Sequence, residues 1–161
     1  PGYQAEKGRQ YRKLNRLRRS GMNKQRVSVL LAAGAGIVGT LMPWVTVSML
    51  GISQSENGLG TGDGKIIIVL FGIACLLSLL GDWSFGVEGG ARIGAIVLGL
   101  AGAIIAIMDI NNFHTKIGGG GGGMISIGFG LYLIVIAGFL LPILAFAVPS
   151  YVGGDSGKAE A

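Results

Sequence analysis

Four stretches of the chain, residues 27–50, 66–81, 93–108 and 124–148, contain no Asp, Glu, Lys, Arg or His. A helix needs about 20 mainly apolar residues to cross about 30 Å of hydrocarbon. A soluble domain of 161 residues lacks the interior to hide four such runs. The charged fraction is only 13% and the mean hydropathy is +0.63. The fold class expected is therefore an all-α integral membrane protein, a four-helix transmembrane bundle.

The spans are expected at about 27–43, 65–82, 92–109 and 124–148, inside a membrane domain covering 27–148. A basic tail, 1–26, precedes it and a short tail, 149–161, follows. The two middle spans are short. Sixteen helical residues reach about 24 Å, so Lys65, Asp82, Arg92 and Asp109 must snorkel, or the helices must run past them. A re-entrant hairpin is the competing arrangement for this pair. Pro142 either kinks the fourth helix or marks its last turn.

Charge sets the expected orientation. Lys7, Arg9, Arg12, Lys13, Arg16, Arg18, Arg19, Lys24 and Arg26 are nine of the thirteen basic residues, and all precede the first span. Short flanks rich in Lys and Arg stay on the cytoplasmic side. The expectation is a multi-pass protein of the plasma (inner) membrane with both termini in the cytoplasm. The polar first 26 residues lack the apolar core of a cleavable signal peptide, so the first span would itself direct insertion.

Within the tail, Tyr11, Leu14 and Leu17 form a narrow apolar stripe flanked by Arg9, Arg12, Lys13, Arg16 and Arg19. Each such cation beside an anionic leaflet contributes about 1 kcal/mol, so this cluster is suited to anionic lipid or to an acidic surface on a neighbouring subunit. Nucleic acid is not an expected partner, since the tail offers only Tyr3 and Tyr11 for stacking and no recognisable binding module.

The spans carry small residues at helical spacing. Ala32, Ala35, Gly36 and Gly39 share a face of the first; Ala91, Ala95, Gly99, Gly102, Ala103 and Ala106 make a longer stripe on the third. Small faces let helix backbones approach closely, and in lipid that packing drives association. The longer stripe is expected to face another protein. Trp44 and Trp83 suit headgroup depth and are expected as interfacial anchors.

After the first span, Val45, Val47 and Met49 alternate with Thr46 and Ser48, a period of two that predicts a β-like outer segment, with the helix ending near Met42. Asn57-Gly58, Gly60, Gly62 and Asp63-Gly64 supply turns before the second span. Beyond the third, Asp109 stands near Asn111, Asn112 and His114, either as a polar outer site or as an ordinary helix terminus. One histidine and one cysteine, Cys75, make no metal or redox motif, and no nucleophile, base and acid occur at a workable spacing. No cofactor, metal site or enzyme activity is expected.

Four spans, a Trp just beyond the first, a β-like outer segment and a short second outer loop resemble a reduced claudin-type tetraspan. The paired cysteines beside that family's Trp motif are absent and the first outer loop is shorter. Trp44 with Asp63-Gly64-Lys65 also resembles small bacterial four-span membrane proteins. The resemblance implies topology and no activity. The function expected is a non-catalytic structural or accessory subunit of a larger membrane assembly, partnered by other membrane subunits and anionic lipids. The alternative is a homo-oligomeric pore or small transporter lined by Ser, Thr, Gly and backbone carbonyls.

Overall fold

Asn23 decides where the first helix begins: its Oδ1 accepts a hydrogen bond from the Gln25 amide at 2.9 Å, satisfying one of the donors that a helix N-terminus leaves unpaired. The structure, a computed structural model, describes residues 6, 23–49, 51–80, 86–87, 89–118 and 125–148. Helix α1, Lys24–Leu41, ends where Pro43 forces the preceding residue into an extended conformation, and Met42 adopts ψ of 161°. Thr61 caps α2, Gly62–Leu79, through a 3.0 Å bond from the Gly64 amide to its Oγ1. Helix α3 spans Gly89–Gly118, and α4, Phe129–Ala147, continues through Pro142.

The helices close into a ring in which α1 packs on α2 and α4, and α3 packs on the same two. Directions alternate along the chain. Three of the four, α2, α3 over Gly89–Thr115 and α4, are long and apolar enough to cross a membrane, with mean hydropathies of 2.0, 2.4 and 2.5. Helix α1 falls outside that class, because Lys24, Gln25 and Arg26 occupy its first turn. Of the two short middle spans, α3 runs past both of its bracketing charges, Arg92 and Asp109, whereas α2 starts ahead of Lys65 and ends before Asp82. Ile110 and Phe113, placed at helical spacing, pack against the core and extend α3 through what the sequence suggested was loop.

The core is built from one large ring and several bare backbones. Phe71 of α2 is fully buried, with Gly36 of α1 and Gly102 of α3 against its ring. A Cβ on either glycine would overlap it, at 2.6 Å from Cε2 in the case of Gly102. On the other side of α3, Gly99 meets Gly138 of α4 so closely that a Cβ on Gly138 would lie 2.5 Å from the Gly99 carbonyl oxygen. Pro142 has no amide to offer the carbonyl of Gly138 four residues earlier, and that carbonyl oxygen lies 3.3 Å from where a Cβ on Gly99 would stand. Leu131, Ile134 and Leu141 fill the remaining space from α4.

One end of the bundle is covered by a three-stranded antiparallel sheet in the order β2-β1-β3, from β1 Pro43–Met49, β2 Ile52–Asn57 and β3 Ile125–Ile127. The period-two pattern thus forms a strand, and its hairpin turns through Gly51 at φ of 84°. The first residues predicted for the fourth span form β3, and the segment of serines before Asn57 pairs with β1. A bulge falls between the Pro43 and Val45 pairs, leaving Trp44 as the extra residue. The indole is turned into the bundle: it is 1% exposed, and its Nε1 donates to the Gly39 carbonyl at 3.1 Å. Trp44 is therefore part of the core. The interfacial placement expected from sequence fails because the bulge redirects the side chain inward.

Candidate functional site

Polar side chains gather at the two ends of the bundle. At the end opposite the sheet, the first turn of α1 serves its neighbours. Arg26 Nη1 donates to the Leu80 carbonyl at 2.6 Å, and Nη2 reaches the Gly86 carbonyl at 3.4 Å. Gln25 Nε2 donates to the Ala145 carbonyl at 2.6 Å. A helix C-terminus presents unpaired carbonyls and a partial negative charge, so a buried cation and an amide donor there satisfy both. Arg92, in the first turn of α3, stacks its guanidinium 4.4 Å from the ring centroid of Phe146 in the last turn of α4. These contacts tie all four helices at the level where the basic segment of the chain enters the bundle.

At the sheet end, Asp109 is buried with its Oδ2 lacking a hydrogen-bond partner, and the exposed Asp63, from the first turn of α2, is its charged neighbour. Asn111, Asn112 and His114 are exposed on other faces of α3, so the four-residue polar outer site suggested by proximity in sequence does not converge. Among the described residues, no three of His, Cys, Asp and Glu stand together. Helical spacing separates Asn111 and His114 from Asp109, by about 160° and about 140° around the helix, but leaves Asn112 only about 60° away.

The small-residue faces are consumed within the chain. Ala32, Gly36 and Gly39 of α1 are buried, as are Ala95, Gly99, Gly102, Ala103 and Ala106 of α3. Gly36 and Gly102 accept Phe71, Gly39 meets the Gly130 backbone, and Gly99 meets Leu141 and Gly138. The expected partner-facing stripe on α3 is corrected accordingly: its partners are α2 and α4 of the same chain. What the bundle presents outward is bulky, with Leu31, Val69, Leu76, Ile93, Val97, Ile104, Ile136 and Ile143 among its exposed apolar residues. Hydroxyls inside the bundle bond to their own helices, Thr40 to the Gly36 carbonyl at 3.0 Å and Ser78 to the Ala74 carbonyl at 2.8 Å. Arg9, Arg12, Lys13, Arg16, Arg19 and Trp83 lie outside the described residues. Comparison with protein-family models, curated proteins and solved structures returned no match to this chain.

Proposed function

We propose that the chain is a non-catalytic structural or accessory subunit of a membrane assembly. The observation that carries this reading is the filled interior, in which Phe71, Leu131, Ile134 and Leu141 occupy the bundle axis against bare glycine backbones. Among the described residues, side chains packed this closely argue against a water-filled path along the bundle. The working surfaces that remain are the outward apolar faces of the helices, the polar sheet and the basic tail. Close helix packing through the α3 stripe is replaced, in this reading, by contacts through those surfaces.

In the same reading α1 also crosses the bilayer, giving four spans. Its apolar portion, residues 27–41, reaches about 22 Å, and it packs along both α2 and α4. Arg26 would then lie near the headgroups with Nη1 and Nη2 already hydrogen-bonded to carbonyls. The basic tail places this end in the cytoplasm of a plasma (inner) membrane protein, with both termini inside and the sheet outside. Arg9, Arg12, Lys13, Arg16 and Arg19 meet anionic lipid or an acidic neighbour.

The test is mild-detergent extraction from the native membrane, native-size separation and mass spectrometry of what travels with the chain. Fixed-stoichiometry co-migration with other subunits is the expected result. A homogeneous oligomer of this chain alone would overturn the accessory reading and favour a homo-oligomeric pore formed between copies.

A further inference from the structure

Arg92, half-buried in the first turn of α3, has no counter-charge among the described residues. Its Nε is buried without a hydrogen-bond partner, and the guanidinium makes no hydrogen bond or ion pair to any described residue. What holds it is a ring, the Phe146 centroid lying 4.4 Å from Cζ. Arg26, at the same end of the bundle, is the contrast, since its Nη1 and Nη2 already donate to the Leu80 and Gly86 carbonyls. A guanidinium that has lost part of its hydration and gained only a π face still has donors to give an oxyanion, and its planar fork matches phosphate two bonds at a time.

The ring beneath it is turned outward. Phe146 is 70% exposed, and Phe139 and Ile143, also exposed, stand with it at i, i+4 and i+7 on one face of α4. That face runs about 10 Å from the level of Arg92 toward the middle of the bundle. Its place is fixed from the inside, because Gln25 Nε2 holds the carbonyl of the buried Ala145 at 2.6 Å. A ligand that satisfies this corner needs an anion at one end and a hydrocarbon chain at the other. A soluble anion would meet the guanidinium and leave the apolar face bare. An acidic protein surface would have to place a carboxylate and an apolar face together at this one level, whereas an anionic phospholipid is built that way.

We propose that the corner formed by Arg92 and Phe146 binds an anionic phospholipid of the leaflet at that end, its phosphate on the guanidinium and one acyl chain along Phe146, Ile143 and Phe139. The site rests on the part of the proposed reading in which α3 and α4 cross the bilayer, and is independent of which assembly the chain joins. Charge selects the lipid. The other charged residues described at this end, Lys24 and Arg26, are cations, which disfavour the ammonium of a zwitterionic headgroup.

The test is native mass spectrometry of the whole purified chain, titrated with phosphatidylglycerol or with phosphatidylcholine of the same acyl chains. One phosphatidylglycerol should bind the wild type at least about tenfold more tightly than phosphatidylcholine does, and at least about tenfold more tightly than it binds Arg92→Gln, the loss expected for charge-assisted hydrogen bonds. The cations of the tail are common to both proteins, so the difference isolates the corner. Lys65→Gln, which removes the same charge at the sheet end, should keep the wild-type affinity. Should Arg92→Gln fail to fold, Phe146→Leu, at an exposed position, is expected to weaken the same lipid at least about threefold through loss of the cation–π contact that aims the guanidinium. In nanodiscs, phosphatidylglycerol carrying a diazirine in one acyl chain should label α4 between Phe139 and Phe146, and label it less in Arg92→Gln. Equal affinity for the two lipids, affinity and labelling unchanged in the variants, or an equal loss in Lys65→Gln would overturn the site. Displacement of the lipid by inorganic phosphate would assign the guanidinium to a soluble anion and overturn the lipid. Labelling absent from the whole of α4 would overturn instead the membrane placement on which the site rests.

Discussion

The ring of Phe71 is held between two glycine backbones, and this makes Gly102→Ala a sharp perturbation. The added Cβ would lie 2.6 Å from Cε2 of the ring, whereas carbon atoms prefer separations of about 3.5–4.0 Å. The ring would have to retreat by about 1 Å, but its opposite side already rests on Gly36 of α1. The strain therefore passes to the spacing between α1, α2 and α3. Overpacking of this kind costs about 1–3 kcal/mol, and it outweighs the roughly 1 kcal/mol by which Ala favours helix over Gly. In a Phe71→Ala background the clash disappears and the propensity gain remains, so the same substitution should become neutral or stabilising. The expected coupling in the double-mutant cycle is the overpacking term itself, about 1–3 kcal/mol. Reversible unfolding in mixed micelles, or steric trapping in bicelles, measures all four variants. A Gly102→Ala cost that is equal in both backgrounds, or absent from the wild type, would refute the clamped-ring account.

Gly99→Leu should reduce the folded, monodisperse fraction of the purified chain on detergent size-exclusion chromatography, because Gly99 faces Leu141 and the Gly138 backbone of the same chain. Arg26→Met removes the donor to the Leu80 carbonyl and should lower stability by about 1.5–3 kcal/mol, read as a fall in the thermal midpoint. Trp44 is buried; with Trp83→Phe as background, its fluorescence should resist quenching both by acrylamide and by brominated lipid. An interfacial indole would be quenched by one or the other. Trp44→Phe, losing the 3.1 Å bond to Gly39, should cost about 1 kcal/mol in the same unfolding assay.

Much of the architecture follows from local chemistry. Long uncharged apolar runs mark α2, α3 and α4, and the alternation from Val45 to Met49 marks β1, since periods of 3.6 and 2 are properties of the backbone itself. Pro43 stops α1 where a prolyl ring must stop a helix. The strands β2 and β3 are harder to read: Ile52–Asn57 is fully exposed and polar, and Ile125–Ile127 is three residues at the head of a long apolar run. Their backbone donors and acceptors are satisfied by β1, a partner that neither segment's own pattern announces.

By itself the sequence determined that the chain carries apolar runs suited to crossing a membrane, that its helices can approach closely, and which end carries the positive charge. Those outcomes depend on hydropathy, on side-chain size at fixed spacing and on net local charge, all of which are written along the chain. Only the tertiary structure decided what the small faces pack against, because a helix face is equally suited to a neighbour in its own chain or in another, and closure of the ring chose the former. It also decided that Trp44 points inward, through one extra residue in a strand pairing, and that Asp109 is buried with Asp63, 46 positions away, as its charged neighbour, apart from the exposed polar residues beside it in sequence. Contacts of that range exist only once the elements are assembled, and the side chains that carry them look ordinary until then.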